Sequence, residues 1–305
     1  MTLPLHTLES PFWKLTVAPE TGASIANLSV RAAESWLPLL RETPLEAITA
    51  HNPSKFASFI LAPFSNRIRD ARFFFGGSTY DLRPTTSDGG TQHGDVRGRP
   101  WTVTQADERV LEATLDSRDF PDFNFPFPLT VMVRYELSGA ALRIHLALTN
   151  VGDEAMPAGF GLHPYFNRVL GTSGELQLRF SAAGLYQTDE TTIPSEGMKP
   201  IPADRDFAEA RAFVDQDFNH VYGGWDGQAQ LVWPHSGVVL TLACDPIFSH
   251  LVLFTAPDGT LGLEPVTNAT DGFNLLAKGI EGTGVKILDP GETLSGTVTL
   301  TVTEV

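Results

Sequence analysis

Two short segments of this chain place an acid and a base in apolar, strand-like surroundings. Glu264 stands in Leu263-Glu264-Pro265-Val266-Thr267-Asn268, and His163 stands in Gly161-Leu162-His163-Pro164-Tyr165-Phe166, about a hundred residues earlier. A carboxylate at the end of an apolar run is costly to bury unless it has a partner or a task. Histidine is the one side chain whose unperturbed pKa lies near neutrality. Together they can take a proton from one side of a substrate and give one to the other. An ionised Glu264 nearby is expected to hold the His163 pKa near its reference of about 6.5. Packing alone would also account for His163, and an arginine partner at a sheet edge for Glu264.

Other polar residues sit where they could hold a ligand. Asn66 and Arg67, in Pro63-Phe64-Ser65-Asn66-Arg67-Ile68-Arg69-Asp70, offer donors, an acceptor and a rigid guanidinium fork that suit a hydroxyl-rich molecule. His93 lies in the glycine-bearing stretch Thr91-Gln92-His93-Gly94-Asp95, ahead of a strand. Asn219 belongs to Phe218-Asn219-His220-Val221-Tyr222-Gly223-Gly224-Trp225, whose rings and glycines suit a sugar face. No metal is expected, because the histidines and Glu264 lack a compact ligand spacing such as His-Glu-x-x-His and no cysteine cluster exists. There is no Gly-x-Ser-x-Gly elbow and no Gly-x-Gly-x-x-Gly after a strand, which argues against a serine nucleophile and a nucleotide cofactor. The expectation is a cofactor-independent site.

These side chains must be carried mainly by strands, because the dominant period is two. In Leu142-Arg143-Ile144-His145-Leu146-Ala147-Leu148-Thr149 large apolar residues alternate with smaller or polar ones. Hairpins are predicted over 129–149, 72–82 and 231–242, each with a glycine-bearing turn. Further strands are predicted at 101–106, 110–115, 175–180, 250–254 and 296–303. Pro265 is predicted to end its strand at an edge or rim. Helical signals are few: 44–50, with Thr43 as cap and Glu46 completing a capping box, and 207–212. Many short strands with spread-out glycine and proline argue for one all-β sandwich or barrel over 1–305.

Composition narrows the partners. A net charge of −15 disfavours nucleic acid and anionic membrane, which need a basic footprint. The single cysteine, Cys244, excludes an internal disulfide and reads as a small buried hydrophobe. Residues 1–6 lack the basic start and apolar core of a signal peptide, and no segment approaches the ~20 apolar residues of a membrane span. The protein is expected to be cytoplasmic, a monomer or a homodimer.

Taken in order, these segments resemble the aldose 1-epimerase (galactose mutarotase) family over nearly the whole chain. The resemblance runs from Leu15-Thr16-Val17 and Gly22-Ala23-Ser24-Ile25 through Asn66-Arg67-Ile68, His93-Gly94, His163-Pro164-Tyr165-Phe166 and Glu264-Pro265 to Leu288-Asp289-Pro290-Gly291-Glu292. It implies a large antiparallel β-sandwich of the galactose mutarotase type with few short helices, and a sugar substrate held in an open cleft on one sheet. It implies Glu264 as general base and His163 as general acid, with Arg67, His93 and Asn66 orienting the sugar. The family usually has an aspartate where this chain has Asn219, or by another alignment Asp217. The rival functions are a non-catalytic sugar sensor on the same scaffold and an epimerase of sugar phosphates. A glycoside hydrolase or lyase ranks lower, since hydrolysis commonly uses two carboxylates and only Glu264 stands out.

Overall fold

The alternation of apolar residues resolves into two large antiparallel sheets whose inner faces share one core. The computed structural model describes residues 5–171, 174–214 and 217–304. The opening residues 1–4, on which the expectation about a signal peptide partly rests, lie outside the described residues. The larger sheet has nine strands, in the order Thr102–Ala106, Val110–Asp116, Leu129–Ser138, Ala141–Asn150, Thr293–Glu304, Val238–Cys244, Gln228–Trp233, Gln177–Phe180 and Arg211–Ala212. The second runs Gly184–Tyr186, Asn219–Gly223, His250–Thr255, Leu261–Val266, Gly161–Leu162 and Ile60–Leu61, with Tyr165–Phe166 also paired to Leu261–Val266. A four-stranded sheet, His6–Glu9 through Ser35–Pro38, adds to the same core.

Period-two burial drives this arrangement. On Leu129–Ser138, Leu129, Val131, Val133, Tyr135 and Leu137 are buried, while the residues between them are partly exposed. Leu142, Ile144, Leu146 and Leu148 face them from the next strand, and Leu251, Leu253, Leu261 and Leu263 come from the second sheet. Each such side chain is worth roughly 1.5–3 kcal/mol when fully buried. Polar groups caught between the layers are satisfied: the Tyr135 hydroxyl donates to Ala23 O at 2.8 Å, and Trp13 Nε1 donates to Ala140 O at 3.0 Å.

The three predicted hairpins form, with Ser138 opposite Ala141, Phe75 opposite Ser78 and Trp233 opposite Val238. Three local expectations do not hold, and one helix was not expected. The strand Leu261–Val266 continues through Pro265 and lies inside its sheet, between His250–Thr255 and the short strands 161–162 and 165–166. Proline is tolerated because the ladder on that side is already broken at His163-Pro164. The helix Leu45–Thr49 forms without a capping box. The Thr43 hydroxyl is instead buried, donating to Ala26 O at 2.7 Å and accepting from Ala57 N at 3.0 Å. Residues 207–212 form no helix: Phe207 and Phe213 are drawn into an aromatic cluster with Phe180 and Phe218, and Arg211–Ala212 pairs as an edge strand. A helix not expected from sequence, Gly272–Ala277, starts after a left-handed Asp271 and is held by burial of Phe273 and Leu275.

Candidate active site

Sheet register brings the acid and the base together. Gly161 pairs with Val266 and Tyr165 with Gly262, so His163 stands opposite Glu264 across the gap between the two short strands. Residues directly opposite share a face and lie within about 4.5–5.5 Å at Cβ. On the far side of Glu264 comes Val252, while Asn219 and Phe254 occupy the row that holds Gly262 and Tyr165. This face points away from the shared core, which is why the strand 261–266 reads as apolar on one side and can carry a carboxylate on the other.

The contacts are short and buried. His163 Nε2 lies 3.1 Å from Glu264 Oε1 and 3.3 Å from the Tyr165 hydroxyl. Glu264 is 2% exposed and His163 5%. The imidazole stacks on the Tyr165 ring at 4.4 Å and packs on Phe59 at 4.7 Å. Arg41 lies over the outer face of Tyr165, 3.4 Å from its centroid, and is held by Asp258 at 2.9 Å and by the carbonyls of Ser54 and Phe56. Three polar atoms at the centre have no hydrogen-bond partner among the described residues: Glu264 Oε2, His163 Nδ1 and His93 Nδ1.

The wall opposite the sheet is built from loops. His93 and Asn66 both adopt left-handed backbone, with φ of 65° and 56°. For a residue with a side chain this costs roughly 1–2 kcal/mol, least for asparagine. His93 N donates to Asn66 O at 2.7 Å, Asp271 N donates to Arg67 O at 2.7 Å, and the Ser65 hydroxyl donates to Asn268 O at 2.8 Å. Gly94 is the residue that permits this turn. A Cβ there would lie 1.7 Å from Ala62 O, and its φ is 65°. The His93 ring meets the His163 ring edge-on at 5.3 Å.

Glu264, His163, Arg67, His93, Asn66 and Asn219 all line one cleft of about 170 Å³. Asp217, the alternative to Asn219, is exposed and does not line it. Sequence reading did not assign Arg97, Gln92, Phe59, Ser54 and Tyr165 to the cleft, although they line it too. Tyr165 could have been found from its spacing: it lies two residues from His163 and so on the same face. Among the described residues, no three His, Cys, Asp or Glu side chains converge as a metal cage requires.

The electrostatics correct one expectation. Burial pushes Glu264 well above the ordinary carboxylate range. Burial, with Arg41 and Arg97 adding to it, pushes His163 well below the ordinary histidine value, so Glu264 does not hold it up. Burial likewise lowers His93, helped by Arg97, and raises the Tyr165 hydroxyl to about 12. The pair therefore titrates as a unit in which both members resist carrying charge.

A family model described as aldose 1-epimerase matches residues 6–301. The chain belongs to the aldose 1-epimerase family. The uncharacterised Escherichia coli protein YphB is 27% identical over 253 residues, covering 80% of this chain and 83% of that protein. An Escherichia coli aldose 1-epimerase is 29% identical over 169 residues, 53% of this chain and 47% of the enzyme. Among solved structures, a putative aldose 1-epimerase from Escherichia coli superposes with a TM-score of 0.85 at 25% identity, covering 99% of each chain. A galactose mutarotase-like protein from Clostridium acetobutylicum gives 0.84 at 18% identity, covering 98% of this chain and 95% of that one, and supports the epimerase-family fold. No helix among the described residues is long and apolar enough to cross a membrane.

Proposed function

We propose that the chain is an aldose 1-epimerase that interconverts the α and β anomers of an aldose bearing a free anomeric hydroxyl. The observation that carries this reading is the buried 3.1 Å contact between His163 Nε2 and Glu264 Oε1, with Glu264 Oε2 left without a partner in the cleft. A binding site needs no such acid–base pair.

In the reactive state Glu264 is ionised and His163 carries the proton that the pair shares. Glu264 accepts the proton of the anomeric hydroxyl as the bond between the anomeric carbon and the ring oxygen breaks. The electron pair of that bond goes to the ring oxygen, which takes its proton from His163 Nε2. The anomeric carbon becomes an aldehyde, rotates, and closes on its other face by the reverse transfers. The open state leaves Glu264 protonated and His163 neutral, the very forms that burial favours. The site therefore offsets part of the cost of ring opening. His93, Arg67, Asn66 and Asn219 hold the hydroxyls and fix the ring against the pair. General acid–base catalysis contributes typically 10²–10⁴-fold, which suits a reaction that free sugars already undergo slowly.

The test is polarimetry on freshly dissolved α-anomers of glucose, galactose and other aldoses, with and without the protein. Faster decay to the equilibrium rotation is the expected result. An unchanged decay for every aldose, neutral or charged, would overturn the reading.

A further inference from the structure

We propose that Arg97 binds an anionic substituent of the sugar, so that the substrate is an acidic aldose, a phosphate ester or a carboxylate, and not a neutral one. This inference rests on the epimerase reading and concerns which aldose the cleft selects.

The charges in the cleft do not cancel. Three arginines lie at or beside it. Arg41 is neutralised by Asp258 at 2.9 Å, and Arg67 by Asp88 at 3.4 Å. The His163–Glu264 pair with its one shared proton carries no net charge. Arg97 lines the cleft, is half-buried, and has no carboxylate within ion-pair distance among the described residues. Asp95, the acid two residues away, is taken by Arg99 at 2.6 Å. The side-chain contacts of Arg97 are a hydrogen bond from Nη1 to the Ser54 hydroxyl at 3.3 Å and a position 5.3 Å from the Phe59 ring. One positive charge is thus left over where the ligand enters. A neutral sugar cannot balance it. A phosphate or carboxylate can, through the guanidinium fork with the Ser54 hydroxyl beside it.

Holding that cation has a cost, since burial lowers its pKa. The fold nonetheless fixes it from both sides. The Val96–Gly98 turn is pinned by Trp101 Nε1 donating to Val96 O at 3.1 Å. Gly22 N donates to Arg99 O at 2.8 Å, and a Cβ on Gly22, whose φ is 68°, would lie 2.4 Å from Arg97 O. Arg99 closes the loop through Asp95 and Asp122, the latter at 2.8 Å. A chain with net charge −15 repels anions at long range. That repulsion is largely screened beyond about 8 Å at physiological salt, so the local cation decides binding.

The test uses matched sugars: glucose, glucose 6-phosphate and glucuronate, with the galactose counterparts. Anomer exchange at equilibrium is measured by NMR for wild type, Arg97→Gln and Arg97→Lys. Wild type is expected to favour one anionic class over its neutral partner by roughly 10- to 100-fold in kcat/KM, the worth of a charge-assisted hydrogen bond. The phosphate and carboxylate arms show which anion fits. Arg97→Gln should collapse that ratio toward one, mainly through KM, and Arg97→Lys should recover part of it. Equal or faster turnover of the neutral sugars, or a loss in Arg97→Gln shared equally by charged and neutral sugars, would overturn the proposal. If no sugar is turned over, the epimerase reading fails, and calorimetric titration of the same sugars decides the anion site separately. Tighter binding of an anionic sugar that is lost in Arg97→Gln supports it, and binding with no preference for charge overturns it.

Discussion

Replacing Glu264 with glutamine is expected to stabilise the protein, and increasingly so as pH rises. The carboxyl is 2% exposed, with one oxygen on His163 and the other without a partner. Its pKa is raised by burial, so the folded chain binds this proton more tightly than the unfolded chain does. The stability this provides is complete below the unfolded pKa of about 4.3 and is lost as pH climbs toward the folded value. Each pH unit in that window removes about 1.4 kcal/mol, so the loss near pH 7.3 is bounded at about 4 kcal/mol. Pairing with a protonated His163 recovers part of it, which sets the expected gain of Glu264→Gln at about 1–4 kcal/mol near neutrality. Glutamine keeps the shape and can donate to a neutral His163 Nε2. Urea unfolding at about pH 5 and about pH 8 measures the gap between the two proteins. It should be small at the lower pH and widen at the higher one. A variant that is less stable at both, or a gap that ignores pH, would mean that Glu264 is ionised and well paired in the fold, and the burial argument would fail.

Two further outcomes follow from the same geometry. Activity needs one proton on the His163–Glu264 pair, so kcat/KM should trace a bell against pH. Burial lowers His163 and raises Glu264, which sets the acid limb below the ordinary histidine value of 6.5 and the alkaline limb well above the ordinary carboxylate value of 4.5. An acid limb above neutrality would contradict this. Gly94→Ala should cost about 2–5 kcal/mol of stability, combining a left-handed alanine with a backbone clash against Ala62, and should depress turnover by displacing His93. Denaturant unfolding alongside kinetics would check both effects.

The sequence made the strands legible because burial with period two leaves a direct trace, as in 129–137 and 142–149. Five residues singled out from their chemical types, and Asn219 from the family resemblance, line one cleft. What the sequence hid depends on partners distant along the chain. Pro265 reads as a strand end, yet it sits inside a sheet, next to the point where the neighbouring strand is interrupted at His163-Pro164. Thr43 reads as a helix cap, yet its hydroxyl is drawn away by Ala26 and Ala57. Phe207 and Phe213 follow an aromatic cluster and not the local helical pattern. Arg97 reads as one arginine among several, and it becomes distinctive only when Asp95 is seen to be paired with Arg99. The downward shift of His163 likewise needs the depth of burial and the positions of Arg41 and Arg97.

The claim that His163 and Glu264 act as one proton-sharing unit is tested most directly by a double-mutant cycle on anomer interconversion. Glu264→Gln and His163→Gln are each expected to lower kcat by roughly 10²–10⁴-fold, and the double variant by no more than the worse of the two. Losses that multiply in the double variant, or a single variant that retains full activity, would show that the two side chains do not share the proton that opens the ring.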